Sequence, residues 1–186
     1  MTAGNSFSLI GEELRFRGRI LEVVSATYED PDGEPFEREV VRHPGAVAVV
    51  ALREAAGEPE VVLVRQFRVA LGRDSLELPA GLRDVDGEAP VDTARRELRE
   101  ESGYDAAELV ELITVDTAPG FADEQIIVYL ATDLRCVGRS ADSIEEQLMT
   151  VETVPWSGLV DLVRTGALVD AKTLAGLWAA ALRLNL

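Results

Sequence analysis

The chain has 186 residues and a formal net charge of −16 at pH 7, with 18 Lys and Arg against 34 Asp and Glu. That length supports one domain of ordinary size with a sizeable core. The charge argues against nucleic acid as a general ligand, and no apolar run approaches the ~20 residues that a membrane span needs. A phosphorylated ligand would be repelled at long range and would need local arginines or a metal. The opening residues, Met1-Thr2-Ala3-Gly4-Asn5-Ser6, carry neither a basic region nor an apolar signal core. The single cysteine, Cys136, fits a reducing compartment. Both observations point to a cytoplasmic protein. Cys136 lies in the strand-like run Tyr129 to Val137 and reads as a core or edge residue rather than a nucleophile. Lys172 is the only lysine, a bias toward arginine that reads as genome composition.

In chain order, residues 15 to 29 predict a strand bent at Gly18, and Asp30-Pro31-Asp32-Gly33 is a turn signal. Phe36 to His43 reads as the returning strand of a hairpin, broken by Pro44-Gly45. Ala46 to Leu52 is almost continuously apolar, as in a strand buried on both faces. A turn at Ala56-Gly57-Glu58-Pro59 leads to a strand over Val61 to Phe67. Leu76-Glu77-Leu78-Pro79-Ala80-Gly81 then enters an acidic loop, Leu82 to Glu88. A helix follows Pro90, with Asp92 as the expected N-cap, Gly103 as its C′ residue, and Val91, Ala94 and Leu98 as an apolar stripe. Strand-like runs recur over Leu109 to Val115 and Ile126 to Ala131. Helical patterns near Trp156 to Arg164 and Ala171 to Leu184 close the chain, with both tryptophans expected to pack. The pattern is that of a mixed α/β (α+β) domain preceded by an antiparallel β segment.

The run Arg96-Glu97-Leu98-Arg99-Glu100-Glu101-Ser102-Gly103-Tyr104 carries the chemistry. On a helix Glu97, Glu100 and Glu101 sit at i, i+3 and i+4 and share an arc of roughly 100° on one face. Three like charges so close destabilise an isolated helix. A cation in front of them removes the penalty, and hard divalent cations prefer carboxylate oxygens. The alternative is a solvated face with i,i+4 pairing, for instance Arg96 to Glu100.

Together with Gly81 and Glu88, this run resembles the Nudix box, Gly-x5-Glu-x7-Arg-Glu-(apolar)-x-Glu-Glu-x-Gly-(apolar). The interval from Gly81 to Glu88 is one residue longer than the usual pattern, in a loop where an insertion is cheap. The resemblance implies an α/β/α sandwich with a mixed central sheet. It implies that Glu97, Glu100 and Glu101, with the backbone carbonyl of Ala80, coordinate Mg2+, for which Mn2+ may substitute. Arg96 would orient the glutamates by charge-assisted hydrogen bonds. The metal would bridge pyrophosphate oxygens and activate a water.

Pro119, 16 positions after Gly103, resembles the ADP-ribose pyrophosphatase subgroup of actinobacterial type. So do His43 to Val50, Val64-Arg65-Gln66-Phe67-Arg68, and Asp116 to Glu124 followed by Tyr129-Leu130-Ala131. That similarity implies hydrolysis of ADP-ribose to AMP and ribose 5-phosphate. It also implies a catalytic glutamate on the loop Gly138 to Gln147, where spacing selects Glu146 as general base ahead of Glu145. Arg68 is the candidate pyrophosphate contact. Arg38, with Phe16, Tyr28 or Phe36, is the candidate adenine site, and Glu124 a candidate contact to the terminal ribose or phosphate. His43, beside Pro44, reads as structural. The resemblance further implies a homodimer in which residues 1–44 serve dimerisation and the adenine pocket, with 45–186 as the Nudix domain. Two alternatives stand beside this reading: a hydrolase of another nucleoside diphosphate sugar such as GDP-mannose, and a catalytically silent Nudix domain that only binds nucleotide.

Overall fold

The fold is described from a computed structural model, in which residues 6–140 and 147–186 are described. The described residues divide into two compact units. One falls within Met1–Gly45 and Asp116–Gln125, the other within Ala46–Val115 and Ile126–Leu186.

The first unit is an antiparallel sheet of β1 (Ser8–Arg17), β2 (Glu22–Glu29) and β3 (Pro35–Arg42), in that spatial order. The bend expected at Gly18 is a full reversal. The Gly18 N–H donates to the Leu21 carbonyl at 2.9 Å, and the strand expected over 15–29 is two paired strands, Arg17 opposite Glu22 and Ser8 opposite Glu29. Gly18 lies so close to the Phe16 ring and the Leu21 carbonyl that a Cβ there would crowd both. The segment Ala118 to Asp123 joins this unit by main-chain bonds: the Val41 N–H donates to Phe121 O at 2.8 Å and the Asp123 N–H to Val41 O at 3.1 Å. Every residue of β1 is exposed, including Leu9, Ile10, Leu14 and Phe16.

The second unit is a mixed sheet with helices on both faces. Its strands are β4 (Ala46–Arg53), β5 (Glu60–Arg68), β6 (Arg73–Glu77), β7 (Ala80–Leu82), β8 (Tyr104–Asp116), β9 (Gln125–Cys136) and β10 (Thr150–Pro155). The central path runs β10-β5-β4-β9-β8, with β6 on β5 and β7 on β4. β4 and β9 pair in parallel, Ala46 opposite Ile126 through Ala51 opposite Ala131. The apolar run Ala46 to Leu52 is buried throughout because its alternate residues feed two cores. Val47, Val49 and Ala51 pack with Ala94 and Leu98 of the helical segment after β7. Ala48, Val50 and Leu52 pack with Leu159, Leu168, Leu177 and Ala180.

Among the described residues, three α-helices cover these faces: α1 (Pro90–Glu97), α2 (Leu159–Arg164) and α3 (Ala171–Leu184). Helix α1 starts two residues before the expected cap. Ala89 is its N-cap, with no side-chain cap, because Pro90 takes the first helical position. Asp92 lies instead in the first turn, where its charge still complements the helix dipole. Helix α3 has the bounds expected from its periodicity and is capped by Asp170, whose carboxylate accepts from the Thr173 N–H at 3.0 Å. Gly176 is held so close to Val128, Leu78 and Val50 that only glycine lets α3 approach the sheet at this point. Trp156 packs on the core as expected, whereas Trp178 is 68% exposed. Cys136 is exposed at the end of β9. Among the described residues no helix is long and apolar enough to cross a membrane.

Candidate active site

The carboxylate run does not continue as regular α-helix. After Glu97 the backbone widens into a π-type turn over Leu98–Ser102 and ends at Gly103, whose φ of 76° is left-handed. Such turns recur at functional sites. The turn has a local consequence: Leu98, Glu101 and Ser102 are all buried, while Arg99 stays outside. The Ser102 hydroxyl donates to the Leu98 carbonyl at 2.5 Å, closing the turn internally.

Glu101 is 5% exposed and accepts the Ala80 N–H at 2.8 Å. Burial, reinforced by the charge of Glu97, pushes its carboxyl up to about 8 against the pull of the Ala80 N–H, Arg68 and Lys172. Gly81 follows Ala80, and a Cβ there would overlap the Glu97 carboxylate. Gly81 thus leaves the Glu97 carboxylate room to lie against the β7 backbone, beside Ala80, whose N–H holds Glu101.

Arg96 is the organiser. Its Nε and Nη2 donate to the two oxygens of Glu88, each at 3.2 Å, while Nη1 donates to Glu97 at 2.7 Å and to Glu100 at 3.0 Å. The Thr93 hydroxyl also donates to Glu88, at 2.8 Å. The longer Gly81-to-Glu88 interval therefore still delivers Glu88 to Arg96. These bonds lower the Glu88 carboxyl below its ordinary range, the Arg96 hydrogen bonds contributing most.

One guanidinium thus faces Glu88, Glu97 and Glu100, with Glu101 buried close by, so the carboxylates outnumber the guanidinium that organises them. A divalent cation suits such a donor set: hard carboxylate oxygens, a buried carboxyl that resists ionisation, and a glycine-lined cradle. Among the described residues no three carboxylates converge into a ready-made cage. Arg96 draws Glu97 and Glu100 to itself, while Glu101 turns to the Ala80 N–H.

Arg68 lies at the end of β5, its side chain 41% exposed, and donates through Nε and Nη2 to Glu77 at 2.9 and 2.6 Å. Glu77 also accepts from the buried Lys172 ammonium, which donates in turn to Asp170 at 3.0 Å. Sequence reasoning passed over Glu77, Asp170 and Lys172. The available signal was the single lysine of an arginine-rich chain, which the reading assigned to composition. The nearby Asp105 is a structural hub on the far side of the π-type turn, accepting from Arg95 and Arg99 at 2.8 and 2.7 Å.

The remaining candidates fall elsewhere. In the first unit, the Arg38 guanidinium lies 4.8 Å from the centroid of Phe36, which stacks with Tyr28 at 6.0 Å. Phe16 is exposed on β1 and makes neither contact. Also there, Glu124 accepts from the Thr117 hydroxyl at 2.6 Å and lies 3.4 Å from His43 Nδ1. His43 Nδ1 itself accepts the Gly45 N–H at 3.1 Å, a structural bond, as expected for this residue. Glu146 and Glu145 lie outside the described residues.

Residues 41–175 match the family described as the NUDIX domain. The chain is 43% identical to the ADP-ribose pyrophosphatase of Mycobacterium tuberculosis, covering 95% of this chain and 84% of that protein. It is 38% identical to the ADP-ribose pyrophosphatase of Bacillus subtilis, covering 88% and 86%. Its fold matches a solved ADP compounds hydrolase with a TM-score of 0.81 at 24% identity, over 96% of this chain and 94% of that one. The chain belongs to the Nudix family and is a Nudix hydrolase of the ADP-ribose pyrophosphatase type.

The Arg68–Glu77–Lys172 cluster has a measurable acid signature. Burial alone would raise the Glu77 carboxyl, but the hydrogen bonds from Arg68 and the charge of Lys172 outweigh it and hold the group at about 2, against an ordinary 4.5. A carboxyl depressed by folding adds stability that is complete above its unfolded value and is lost as pH falls toward the folded one. Between pH 4.5 and 2 the wild type will lose stability more steeply than Glu77→Gln, because it takes up one more proton on unfolding. Urea unfolding at several pH values across that window reads the slopes, and equal slopes would contradict the assignment.

Proposed function

We propose that the chain hydrolyses ADP-ribose to AMP and ribose 5-phosphate with Mg2+, for which Mn2+ can substitute. The observation that carries this reading is the convergence of Ala80, Glu97 and the buried Glu101 on one glycine-lined cradle, with Arg68 nearby. The names of the two relatives support ADP-ribose as substrate. When bound, the cation supplies neutralisation of the pyrophosphate oxygens and a lowered pKa for water.

The residues of the chain do the rest. Glu97, Glu100 and Glu101, with the Ala80 carbonyl, offer hard oxygen donors. Arg96 keeps Glu97 and Glu100 together through hydrogen bonds to both, and their free lone pairs would turn to the cation as the site fills. Arg68 spends Nε and Nη2 on Glu77, which leaves Nη1 for a phosphate oxygen. Glu146, ahead of Glu145, is assigned as the base that takes the proton of the attacking water. The new bond runs from water oxygen to phosphorus, the bridging P–O bond breaks, and the bridging oxygen leaves on the other phosphate. Glu124 is assigned to the ribose or phosphate end. Arg38 with Phe36 and Tyr28 is assigned to adenine, since their stacked rings and guanidinium offer both a π face and donors.

We assign residues 1–44 to dimerisation and the adenine pocket, and 45–186 to the catalytic domain. The exposed apolar residues of β1, Leu9, Ile10, Leu14 and Phe16, support a homodimer, since a strand so exposed invites a partner. A sedimentation mass near twice 20.2 kDa is expected, and a monomer at micromolar concentration would rule this out.

Glu97→Gln and Glu101→Gln will each cut kcat/KM for ADP-ribose by more than about a hundredfold while far-UV circular dichroism stays unchanged. Phosphatase-coupled assay of both variants, with wild type run against ADP-ribose, GDP-mannose and other nucleoside diphosphate sugars, is the measurement. Full activity in either variant would sink the metal-site reading, and preference for another sugar nucleotide would overturn the substrate. No Mg2+-dependent turnover at all would leave the silent nucleotide-binding domain.

A further inference from the structure

The first turn of α3 grips the strand that leads into the metal cradle. Lys172, 8% exposed, donates to Glu77 and to Asp170. The Thr173 hydroxyl accepts the Leu78 N–H at 2.9 Å and donates to Asp170 at 2.6 Å. Two successive residues, Glu77 and Leu78, are thus pinned from α3, and the chain runs from them through Pro79 to Ala80. Glu77 also accepts both Arg68 bonds, sharing Oε2 between Arg68 Nη2 and Lys172.

The four groups Arg68, Glu77, Lys172 and Asp170 carry two positive and two negative charges. A neutral quartet with Glu77 and Lys172 at its buried centre is a poor source of stability, since well-packed apolar residues of the same volume serve as well or better. What apolar residues cannot supply is direction. The Lys172 ammonium and Arg68 Nη2 share one oxygen of Glu77 while Arg68 Nε takes the other, so the ammonium fixes the carboxylate plane and the two parallel bonds fix the guanidinium in it. Without Lys172, Glu77 and Asp170 would compete for Arg68 alone, and the guanidinium would be drawn toward them.

We infer that Lys172 is a positioning residue for substrate: through Glu77 it sets the orientation of the Arg68 guanidinium that meets the pyrophosphate. The inference rests on the pyrophosphatase reading of the site and deepens it. It assigns substrate affinity, rather than metal affinity, to Lys172.

The test compares wild type, Lys172→Met, the neutral double variant Glu77→Gln/Lys172→Met, and Lys172→Met in an Arg68→Ala background. Three quantities are read: steady-state kinetics on ADP-ribose, Mn2+ binding to substrate-free protein, and melting temperature. Lys172→Met should raise KM about tenfold with a smaller change in kcat, because Arg68 binds ground and transition state alike. Mn2+ affinity should stay within about twofold, below the 10–100-fold typical when a ligand's support is lost. The double variant should recover melting temperature but not KM, and it carries the test if the single variant does not fold. In the Arg68→Ala background Lys172→Met should add no further rise in KM. Recovery of both quantities in the double variant would overturn the inference. So would an undiminished further rise in the Arg68→Ala background, or a KM within twofold of wild type in Lys172→Met. A wild type that turns over no nucleoside diphosphate sugar would instead bring down the pyrophosphatase reading, and this inference with it.

Discussion

The structure is organised around one electrostatic conflict: carboxylates brought together with too little positive charge to balance them. Arg96 serves Glu88, Glu97 and Glu100 at once, and Glu101 is buried with one backbone N–H as its hydrogen-bond donor. In a low-dielectric setting desolvation disfavours an ionised carboxylate, and the Glu101 carboxyl is displaced toward its protonated form despite the pull of Arg68 and Lys172. The neighbouring architecture serves this cluster. The π-type turn over Leu98–Ser102 buries Glu101, Gly81 leaves room for the Glu97 carboxylate, and the left-handed Gly103 ends the segment. A divalent cation would resolve the conflict, and the same carboxylates would then serve a chemistry that needs concentrated positive charge at a pyrophosphate.

Support for the cradle comes from distant parts of the chain. β7, which carries Ala80 and Gly81, pairs with β4, the strand buried on both faces. Leu78 packs in the core on the α3 side of the sheet, and the first turn of α3 bonds to Glu77 and to the Leu78 backbone. A catalytic centre placed on loops but tied into strands and helix ends in this way keeps its geometry while the loops vary. The long-range field of a chain with net charge −16 opposes an anionic substrate, so affinity would have to come from local groups, the role proposed for Arg68 and a cation.

Much of this was legible in the sequence where local and global signals agree. The apolar run Ala46 to Leu52 and the helix Ala171 to Leu184 stand as read, because burial on both faces and a sustained 3.6 period are direct imprints of packing. Helical spacing singled out Glu97, Glu100 and Glu101, and the resemblance to the Nudix box added Gly81, Glu88 and Arg96, which the structure brings into the same cluster. What was not legible depends on tertiary contact. The hairpin reversal at Gly18 lacks the usual two-residue turn signal, and the wide turn after Glu97 reads as ordinary helix from residue types alone. β10 reads as no strand because its burial is partial and it sits at the sheet edge. Asp92 looked like a cap because its side chain suits one, but Pro90 moved the helix start upstream. The Glu77–Lys172 pair joins residues 95 positions apart, beyond any local pattern.

The account stands or falls on whether the glutamate cluster is a cation site. The most direct measurement is a Mn2+ titration of the substrate-free protein, following the electron paramagnetic resonance signal of free Mn2+, in wild type and Glu101→Gln. Saturable binding in wild type that is lost or greatly weakened in the variant is the predicted result. No saturable binding in wild type, or equal binding in both proteins, would contradict it.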